Sequence, residues 1–334
     1  MPWCSYQDKQ IGLEADPNLS VDRPVYGCSH EKHSQATFVQ CLKCKDHAGS
    51  TTRPAGHPRR HAANAIVDRF GHPAQIADLY LNAGCFLILS GPSLHSLPLE
   101  LLSLRGVITM TTNNCVAAFP DGIRPNLWTF TDKACKFHDS IWKDPAILKL
   151  CPVKESRRKL DTKITGEFEG LEATPTDSPG TFFYHRNTDF CPSQWLSEPS
   201  INRGNGKREA ARNRYPKTIN TMFAALKLLY YLGFARVYLC GCDFRMETER
   251  PYGFNESKHS GGCSSNNNAY ANMNLMFDTL QPYFEGAGFT VINCTPDSLC
   301  HSFPTLDFRE AIERETCSLQ QEMDTNGWYN HVDD

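Results

Sequence analysis

Five short, largely apolar runs, each four residues long, constrain the fold of this chain more than any other feature. They occupy residues 86–89, 107–110, 127–130, 237–240 and 289–292. Small or polar residues follow each run at once, and runs of this length bounded by turn residues are typical of buried β-strands. Because the runs are continuous rather than alternating, they predict strands covered on both faces, as in a parallel sheet.

Helical patterns lie between and before these runs. Apolar residues at helical spacing predict helices at 97–104, 218–232 and 269–284, and a helix interrupted by Gly71 and Pro73 at 62–81. Gly233 and Gly286 follow two of these helices, which is the usual place for a glycine after a helix. Helix-then-strand units with short glycine turns predict an α/β fold, with a Rossmann-like, mainly parallel sheet and helices on both faces.

The composition divides the chain into regions. Residues 1–82 are rich in Cys, His, Pro and Gly, residues 83–316 carry the α/β pattern, and residues 317–334 form a polar tail. Within the α/β region, residues 152–216 are polar but retain aromatic side chains, so we interpret them as an insertion. The expected organisation is a small N-terminal zinc-binding segment, a Rossmann-like catalytic domain and a loosely held tail.

Charge and cysteine content limit the cellular context. The net charge of −3 does not draw the whole chain to polyanions, so phosphate or nucleic-acid binding would need a local basic patch. The fifteen cysteines are odd in number, and we find neither an apolar leader nor an apolar stretch of about 20 residues. We therefore expect a cytoplasmic protein with free or metal-bound thiols and no membrane partner.

The turns after the five runs are candidates for a ligand site. In an open parallel sheet, ligands bind at the carboxyl ends of the strands, near the point where the strand order reverses. Gly91 would let a phosphate or sugar approach the backbone, although ordinary turns also favour such residues. The turns are Ser90-Gly91-Pro92-Ser93, Thr112-Asn113-Asn114, Thr131-Asp132, Gly241-Cys242-Asp243-Phe244 and Asn293-Cys294-Thr295-Pro296.

Several of these segments resemble two related families. Residues 87–94, which contain Gly91-Pro92-Ser93-Leu94, are similar to the Gly-Pro-Ser-Leu opening of bacterial sialyltransferases and of domains similar to 6-hydroxymethylpterin pyrophosphokinases. Residues 122–132 resemble the second group, and residues 220–244 and 293–298 resemble both. The resemblance covers about residues 85–310. It implies the Rossmann-like fold more specifically than it implies a reaction.

The resemblance to sialyltransferases implies a nucleotide-sugar donor. Asn220 and Thr221 would hold the donor phosphate, together with Tyr252. Lys217 stands where an arginine is expected and Arg245 replaces an aromatic residue, so the donor sugar stays open. The residues assigned to nucleotide binding are Ser90, Gly91, Pro92, Ser93, Asn113, Asn114, Lys217, Asn220, Thr221, Asp243, Phe244 and Tyr252.

Two sets of catalytic residues correspond to the two families. The sialyltransferase resemblance implies that His259 is the general base, and neutral imidazole suits the removal of a hydroxyl proton near neutral pH. The alternative is a surface histidine in a polar loop. The pyrophosphokinase resemblance implies that Asp132 and Asp243, taken to lie at neighbouring strand ends, hold Mg²⁺ against a triphosphate. For Asp132, the alternative is the N-cap of a helix at 133–142.

The N-terminal segment contains two Cys/His clusters within 20 residues. Thiolates and imidazoles grouped in this way are typical of a tetrahedral structural zinc site. The predicted ligands are Cys28, His33, Cys41 and Cys44, with His30 or His47 as a substitute for one of them. The alternative is a set of free thiols and exposed histidines.

Basic residues surround the zinc segment, and a second basic run lies at 203–217. A zinc segment with basic flanks favours nucleic acid as a partner. The leading hypothesis is therefore a nucleotide-sugar-dependent glycosyltransferase that transfers a sugar to a hydroxyl group. The candidate acceptor is a hydroxymethylated base in nucleic acid, which would make the chain similar to phage-type nucleic-acid-modifying glycosyltransferases. The alternatives are an ATP- and Mg²⁺-dependent pyrophosphokinase and a non-enzymatic nucleic-acid-binding protein.

Overall fold

The computed structural model describes residues 66–134, 137, 139–160, 173–187, 192, 195–196, 201–202, 220–256 and 260–317, together with the N-terminal strands at 10–14, 23–27 and 35–37. The predicted zinc ligands lie outside the described residues, so the zinc site stays a prediction. In the N-terminal region, the structure instead describes a small antiparallel sheet that the sequence pattern did not predict.

The described strands, numbered in chain order, form one large and two small sheets. They are β1 Gln10–Glu14, β2 Arg23–Gly27, β3 Gln35–Thr37, β4 Ile66–Val67, β5 Gly84–Ile88, β6 Thr109–Thr112, β7 Leu127–Thr129, β8 Leu148–Pro152, β9 Thr181–Tyr184, β10 Arg186–Asn187, β11 Ile201–Asn202, β12 Arg236–Cys240 and β13 Thr290–Asn293. The first three form the N-terminal sheet, and β10 pairs with β11 in parallel.

The large sheet has eight strands in the order β13-β12-β5-β6-β7-β8-β9-β4. Seven of them run parallel, and β4 pairs antiparallel with β9 at one edge. The chain passes from β5 to β6 on one side, whereas β12 joins β5 on the other side. The strand order therefore reverses between β5 and β12, which is the topological switch point of the sheet. The predicted mainly parallel α/β fold is confirmed.

Four α-helices are described, and 3₁₀ segments fill several connections. The helices are α1 Asp139–Lys143, α2 Thr221–Tyr231, α3 Ser260–Gly286 and α4 Phe308–Thr316. All eleven residues of α2 are buried, and Gly233, with a φ of 94°, follows its end. The absence of a polar face on α2 matches its position between the sheet and α3.

The core lies on both faces of the sheet because successive strand side chains point to opposite faces. On β5, Cys85 and Leu87 pack in the cluster that contains α2 and α3. Phe86 and Ile88 pack in the cluster that contains α4 and the 3₁₀ segments between β5 and β6. Helices on both faces are thus confirmed. Within the described residues, no helix combines the length and the apolarity needed to cross a membrane.

Two predicted helices are wrong. The described part of 62–81 is strand β4 followed by turns, because Asp78 and Asn82 adopt positive φ angles of 55° and 62°, as does Gly71. The segment 97–104 contains only a 3₁₀ segment, Leu99–Ser103, which Pro98 separates from a preceding 3₁₀ segment at Pro92–Ser96. A helix was predicted at 133–142, and the structure describes an α-helix only in the last part of this range, where α1 lies.

Two parallel strands were missed by the sequence analysis. β8 carries Lys149, whose buried ammonium group donates to the carbonyl oxygens of Asp144 (2.6 Å), Ile147 (3.1 Å) and Pro179 (2.7 Å). β9 lies within the stretch interpreted as a polar insertion and supplies Phe183 and Tyr184 to the core. That stretch therefore contributes to the sheet itself.

Candidate functional site

A cavity of about 540 Å³ lies at the carboxyl edge of the sheet, beside the switch point. We call it the main cavity. The ends of β5, β6, β7 and β12 all contribute to its wall, and the beginning of α2 and the first half of α3 close it. The sequence-predicted residues on its wall are Ser90, Gly91, Asn113, Asn114, Asp132, Asn220, Thr221, Asp243, Phe244 and Tyr252. The fifth predicted turn, after β13, does not reach it.

Three glycines join the loops at the switch point. A Cβ atom on Gly91 would lie 2.5 Å from the carbonyl oxygen of Gly241, and one on Gly253 would lie 2.7 Å from the carbonyl oxygen of Gly91. Gly241 has a φ of 70°, and the Gly253 N–H donates to the carbonyl oxygen of Ser90 (2.9 Å). The loops after β5 and β12 and the loop around Gly253 therefore meet at backbone contact, where side chains do not fit.

Asp243 fills the space in front of Gly91. Its Oδ2 accepts a hydrogen bond from the Ser93 hydroxyl (2.6 Å), and its Oδ1 accepts one from the Ser93 N–H (3.2 Å). Burial raises the pKa of this carboxyl group, and the bonds from Ser93 partly offset that rise. A Cβ atom on Gly91 would lie only 1.8 Å from Asp243 Oδ2. Gly91 is thus needed for the close approach of Asp243. Its role in the approach of a phosphate or sugar stays a prediction.

The turn after β5 does not lead into an α-helix. The segment that follows Gly91 is a five-residue 3₁₀ turn, Pro92–Ser96. The N–H of Ser93 points at Asp243, and the N–H of Gly91 donates to the carbonyl oxygen of Gly241 (2.9 Å). A carboxylate of the protein therefore uses the donor that an incoming phosphate would need.

A polar network organises the opposite wall of the main cavity. Asn113, with a φ of 50°, donates from Nδ2 to the Thr221 hydroxyl (3.3 Å). The hydroxyl groups of Thr131 and Thr221 are 2.8 Å apart, and the Trp128 indole N–H donates to the Asn113 carbonyl oxygen (2.8 Å). These contacts connect the ends of β6 and β7 to the first residue of α2. The wall is consequently preorganised for hydrogen bonding.

The N-terminus of α2 faces the main cavity. Asn220 caps this helix, since its Oδ1 accepts a hydrogen bond from the Met222 N–H (2.7 Å). No acidic residue lies in the first turn, so the positive end of the helix dipole is not neutralised there by a side chain of the helix. This is the part of the cavity wall best suited to an anionic group.

Two stacked aromatic pairs supply flat apolar surfaces to the main cavity. Phe244 and Tyr270 have ring centroids 5.0 Å apart and an angle of 16° between the rings. Tyr252 and Phe254 have centroids 5.2 Å apart and an angle of 10°. All four residues line the cavity. Flat aromatic faces beside amide groups are a suitable environment for a heteroaromatic base.

Several wall residues were missed by the sequence analysis, above all on α3. Asn266 lines the main cavity, while Asn267 holds the loop after β12 through the N–H (2.8 Å) and the carbonyl oxygen (3.0 Å) of Met246. Glu256 accepts a hydrogen bond from Asn114 Nδ2 (3.0 Å). Asparagine is a poor helix former, so the run of three at 266–268 inside a helix is a signal that was overlooked.

The charge on the wall is mainly negative. Asp132, Asp243 and Glu256 are three carboxylates, and Arg245 is the single basic residue among the described lining residues. Asp132 is exposed, and its Oδ1 accepts a hydrogen bond from the Lys133 N–H (2.9 Å). The excess of carboxylates over basic groups on the described wall favours a ligand with few negative charges.

The sheet order contradicts the idea that Asp132 and Asp243 follow neighbouring strands. Asp132 follows β7 and Asp243 follows β12, and both β5 and β6 lie between these strands. Three strand spacings of about 4.8 Å separate the strand ends by about 14 Å. An Mg²⁺ ion contacts oxygen ligands at about 2.1 Å, so strands this far apart do not provide a shared site. Among the described residues, no group of three or more His, Cys, Asp or Glu side chains could hold a metal ion.

A smaller cavity of about 240 Å³, which we call the side cleft, adjoins the main cavity. Its wall consists of Pro92, Ser93, Ser96, Asp243, Arg245, Glu247, Arg250, Pro296 and Asp297. Pro92 and Ser93, assigned from the sequence to nucleotide binding, thus line the side cleft and not the main cavity. Lys217 and His259 lie outside the described residues.

The chain was also compared with known proteins. No protein family, no curated protein and no solved structure matches it.

Proposed function

We propose that this chain is a nucleotide-sugar-dependent glycosyltransferase whose main cavity binds the donor nucleotide. The observation that carries the proposal is the convergence of amides, hydroxyls and stacked aromatic rings on one cavity at the switch point of a parallel sheet. The cavity volume of about 540 Å³ lies within the range of roughly 300–1,000 Å³ that is usual for small-molecule sites.

The parts of the donor have different suitable positions on this wall. The base would pack on the aromatic pairs Phe244–Tyr270 and Tyr252–Phe254. The phosphate would lie at the N-terminus of α2, where Asn220 and Thr221 begin the helix. The polar network around Asn113 would bind the ribose hydroxyls, because amide and hydroxyl groups both donate and accept hydrogen bonds.

The charge balance favours a nucleotide sugar over a triphosphate. Three carboxylates and one guanidinium on the described wall would repel the four charges of ATP more strongly than the one or two charges of a nucleotide sugar. The separation of β7 and β12 also removes the basis for a shared Asp132–Asp243 metal site. The pyrophosphokinase hypothesis therefore has less support than it had from sequence.

The proposed reaction needs a base for the acceptor hydroxyl. His259 remains our candidate, and Glu256, three residues earlier in the chain, lines the main cavity. A neutral imidazole would take the hydroxyl proton while the acceptor oxygen attacks the sugar carbon. The nucleotide would leave with its phosphate at the positive end of α2. The structural zinc site and the nucleic-acid acceptor remain separate proposals about the N-terminal segment and the basic run.

Calorimetric titration with CMP, UDP, GDP and ATP, each with and without Mg²⁺, tests the proposal. We expect a nucleoside mono- or diphosphate to bind without a requirement for Mg²⁺. Binding of ATP alone, and only with Mg²⁺, would instead support the pyrophosphokinase. Failure of every nucleotide to bind would refute the assignment of the main cavity.

A pair of asparagine variants locates the binding site. Asn113 and Asn82 both have positive φ angles, so glycine keeps the backbone of each while removing the side chain. Asn113→Gly should weaken nucleotide binding about tenfold, through the loss of hydrogen bonds from the cavity wall. Asn82→Gly, which does not line the main cavity, is the matched control and should bind like the wild type. Equal affinities of the two variants would place the nucleotide elsewhere.

A further inference from the structure

Glu256 places a carboxylate on the wall of the main cavity beside the stacked Tyr252–Phe254 pair. Its backbone N–H donates to the Phe254 carbonyl oxygen (2.9 Å), so the glutamate follows the aromatic pair in a tight turn. Both rings and the Glu256 side chain line the cavity. Proteins bind bases by stacking on aromatic rings and by hydrogen bonds to the base edge. A base on this pair would therefore have a carboxylate within reach of its edge.

A hydrogen bond holds the Glu256 carboxylate at the cavity wall. Its Oε2 accepts from Asn114 Nδ2 (3.0 Å). Asn114 belongs to the 3₁₀ segment that follows β6, whereas Glu256 lies in the loop between β12 and α3, so the contact joins two separate parts of the chain. A carboxylate can accept about four hydrogen bonds, and both Glu256 oxygens therefore keep lone pairs for a ligand.

Contacts along the wall give the order in which the parts of a nucleotide would lie. Asn114, which binds Glu256, directly follows Asn113 in the chain. Asn113 Nδ2 in turn donates to the hydroxyl of Thr221, the first residue of α2 (3.3 Å). With the phosphate at the N-terminus of α2 and the ribose beside Asn113, the base lies at the Glu256 end. The opposite orientation would place the phosphate against the Glu256 carboxylate, which repels it.

The bases differ in what their hydrogen-bonding edge offers to a carboxylate. Guanine presents two adjacent donors, N1–H and the N2 amino group, which match the two oxygens of a carboxylate in a bidentate pair. Cytosine and adenine present one amino donor beside an acceptor nitrogen, and uracil presents one donor between two carbonyl oxygens. A carboxylate has no hydrogen to donate, so it repels these acceptors. Guanine is consequently the base that Glu256 fits best.

We propose that Glu256 is the base-reading residue of the main cavity and that the site selects guanine nucleotides. This inference rests on the proposed glycosyltransferase function, since it names the nucleotide of the donor. The guanine ring would stack on the Tyr252–Phe254 pair while its N1–H and N2 amino group donate to the Glu256 oxygens. Asn114, which holds the carboxylate, is a positioning residue.

Calorimetric titration of the full chain with the diphosphates of guanosine, inosine, adenosine, uridine and cytidine tests the selection, because all five share the same ribose and phosphates. Inosine diphosphate is the sharpest comparison, since its base differs from guanine only in lacking the N2 amino group. We expect GDP to bind at least about tenfold more tightly than each of the others. Equal or tighter binding of another diphosphate would overturn the proposal and leave the proposed nucleotide site intact. Failure of all five to bind would instead count against the proposed function.

Glu256→Gln should change the selection from guanine to xanthine. The amide accepts from N1–H and donates to a carbonyl oxygen, which xanthine carries in place of the N2 amino group of guanine. Relative to the wild type, GDP affinity should fall about tenfold and xanthosine diphosphate affinity should rise about tenfold. A purely structural role of Glu256 would not produce this gain.

Glu249→Gln is the matched control. It removes the same charge from an exposed glutamate of the same loop that lines neither the main cavity nor the side cleft. It should bind GDP and xanthosine diphosphate like the wild type. If Glu256→Gln kept the same preference for GDP as Glu249→Gln, Glu256 would not read the base and the proposal would be wrong.

Discussion

The contact between Gly91 and Asp243 leads to a quantitative prediction for Gly91→Ala. Gly91 has φ −66° and ψ 150°, a conformation open to any residue, so the substitution causes no backbone strain of its own. The added methyl group would, however, lie 1.8 Å from Asp243 Oδ2 and 2.5 Å from the Gly241 carbonyl oxygen. Either the carboxylate or the loop backbone must move.

The expected loss follows from the bonds that hold Asp243. If the side chain rotates away, both hydrogen bonds from Ser93 are lost, and hydrogen bonds to a charged group each contribute about 1.5 kcal/mol or more. We therefore expect Gly91→Ala to lower the free energy of unfolding by about 3 kcal/mol, with a larger loss if Gly241 is also displaced. Chemical denaturation monitored by circular dichroism measures this difference.

A second glycine provides the control. Gly286 ends α3, and an added Cβ there would meet no atom within 4 Å. Gly286→Ala should be neutral or stabilising by about 0.4–1 kcal/mol, because alanine restricts the unfolded chain. If Gly91→Ala were as stable as Gly286→Ala, the close packing of the switch-point loops would be refuted.

Three further predictions concern catalysis, metal and pH. His259→Ala should lower kcat by roughly 10²- to 10⁴-fold while nucleotide binding survives. The rate of the wild-type protein should fall at a pH below the pKa of imidazole, because only the neutral ring accepts a proton. If sugar transfer by His259→Ala were as fast as by the wild type, His259 would be excluded as the base. Elemental analysis should find one zinc per chain, and chelation should release it without loss of nucleotide binding; zinc-free purified protein would end that proposal. Burial raises the pKa of six described thiols, so above about pH 8.5 the unfolded chain releases their protons before the folded chain does. Stability should therefore fall between about pH 8.5 and 10. Lys149, whose pKa burial lowers to about 8, acts in the opposite direction and should offset only part of the loss. Stability that rises over this range would contradict the burial of these thiols.

The strands of the sheet could be predicted from sequence where an apolar run stands out from its surroundings. They could not be predicted where a lysine interrupts the run, as in β8, or where the run lies within a polar stretch, as in β9. β5 and β12 contain uninterrupted apolar runs, at 85–88 and 237–240, so their position was evident. β8 contains Lys149, and a lysine in a strand usually indicates exposure. Its burial depends on three carbonyl oxygens, including that of Pro179, which is 30 residues away, and no local pattern reveals them. The helix predicted at 62–81 failed because left-handed residues and Gly71 broke a pattern that spacing alone supported.

The sequence was sufficient to place the candidate site at the carboxyl edge of the sheet, but not to predict the contacts within it. The rule that ligands bind at strand ends selected Asn113, Asp132 and Asp243, and all three line the main cavity. The role of Gly91 could not be predicted, because its neighbour Asp243 comes about 150 residues later in the chain. For the same reason the spacing of Asp132 and Asp243 became clear only from the order of the strands.

The complete burial of α2 links the main cavity to the order of folding. A helix with no solvent-facing side has little stability as an isolated segment, because its apolar surface is covered only when the sheet and α3 are already in contact with it. The N-terminus of α2, and with it one wall of the main cavity, would then form late, in the same cooperative step that completes the core. A partly folded chain would have no binding site, so a bound nucleotide should slow global unfolding and protect the amide hydrogens of the central strands from exchange, and not only those of the loops that it touches.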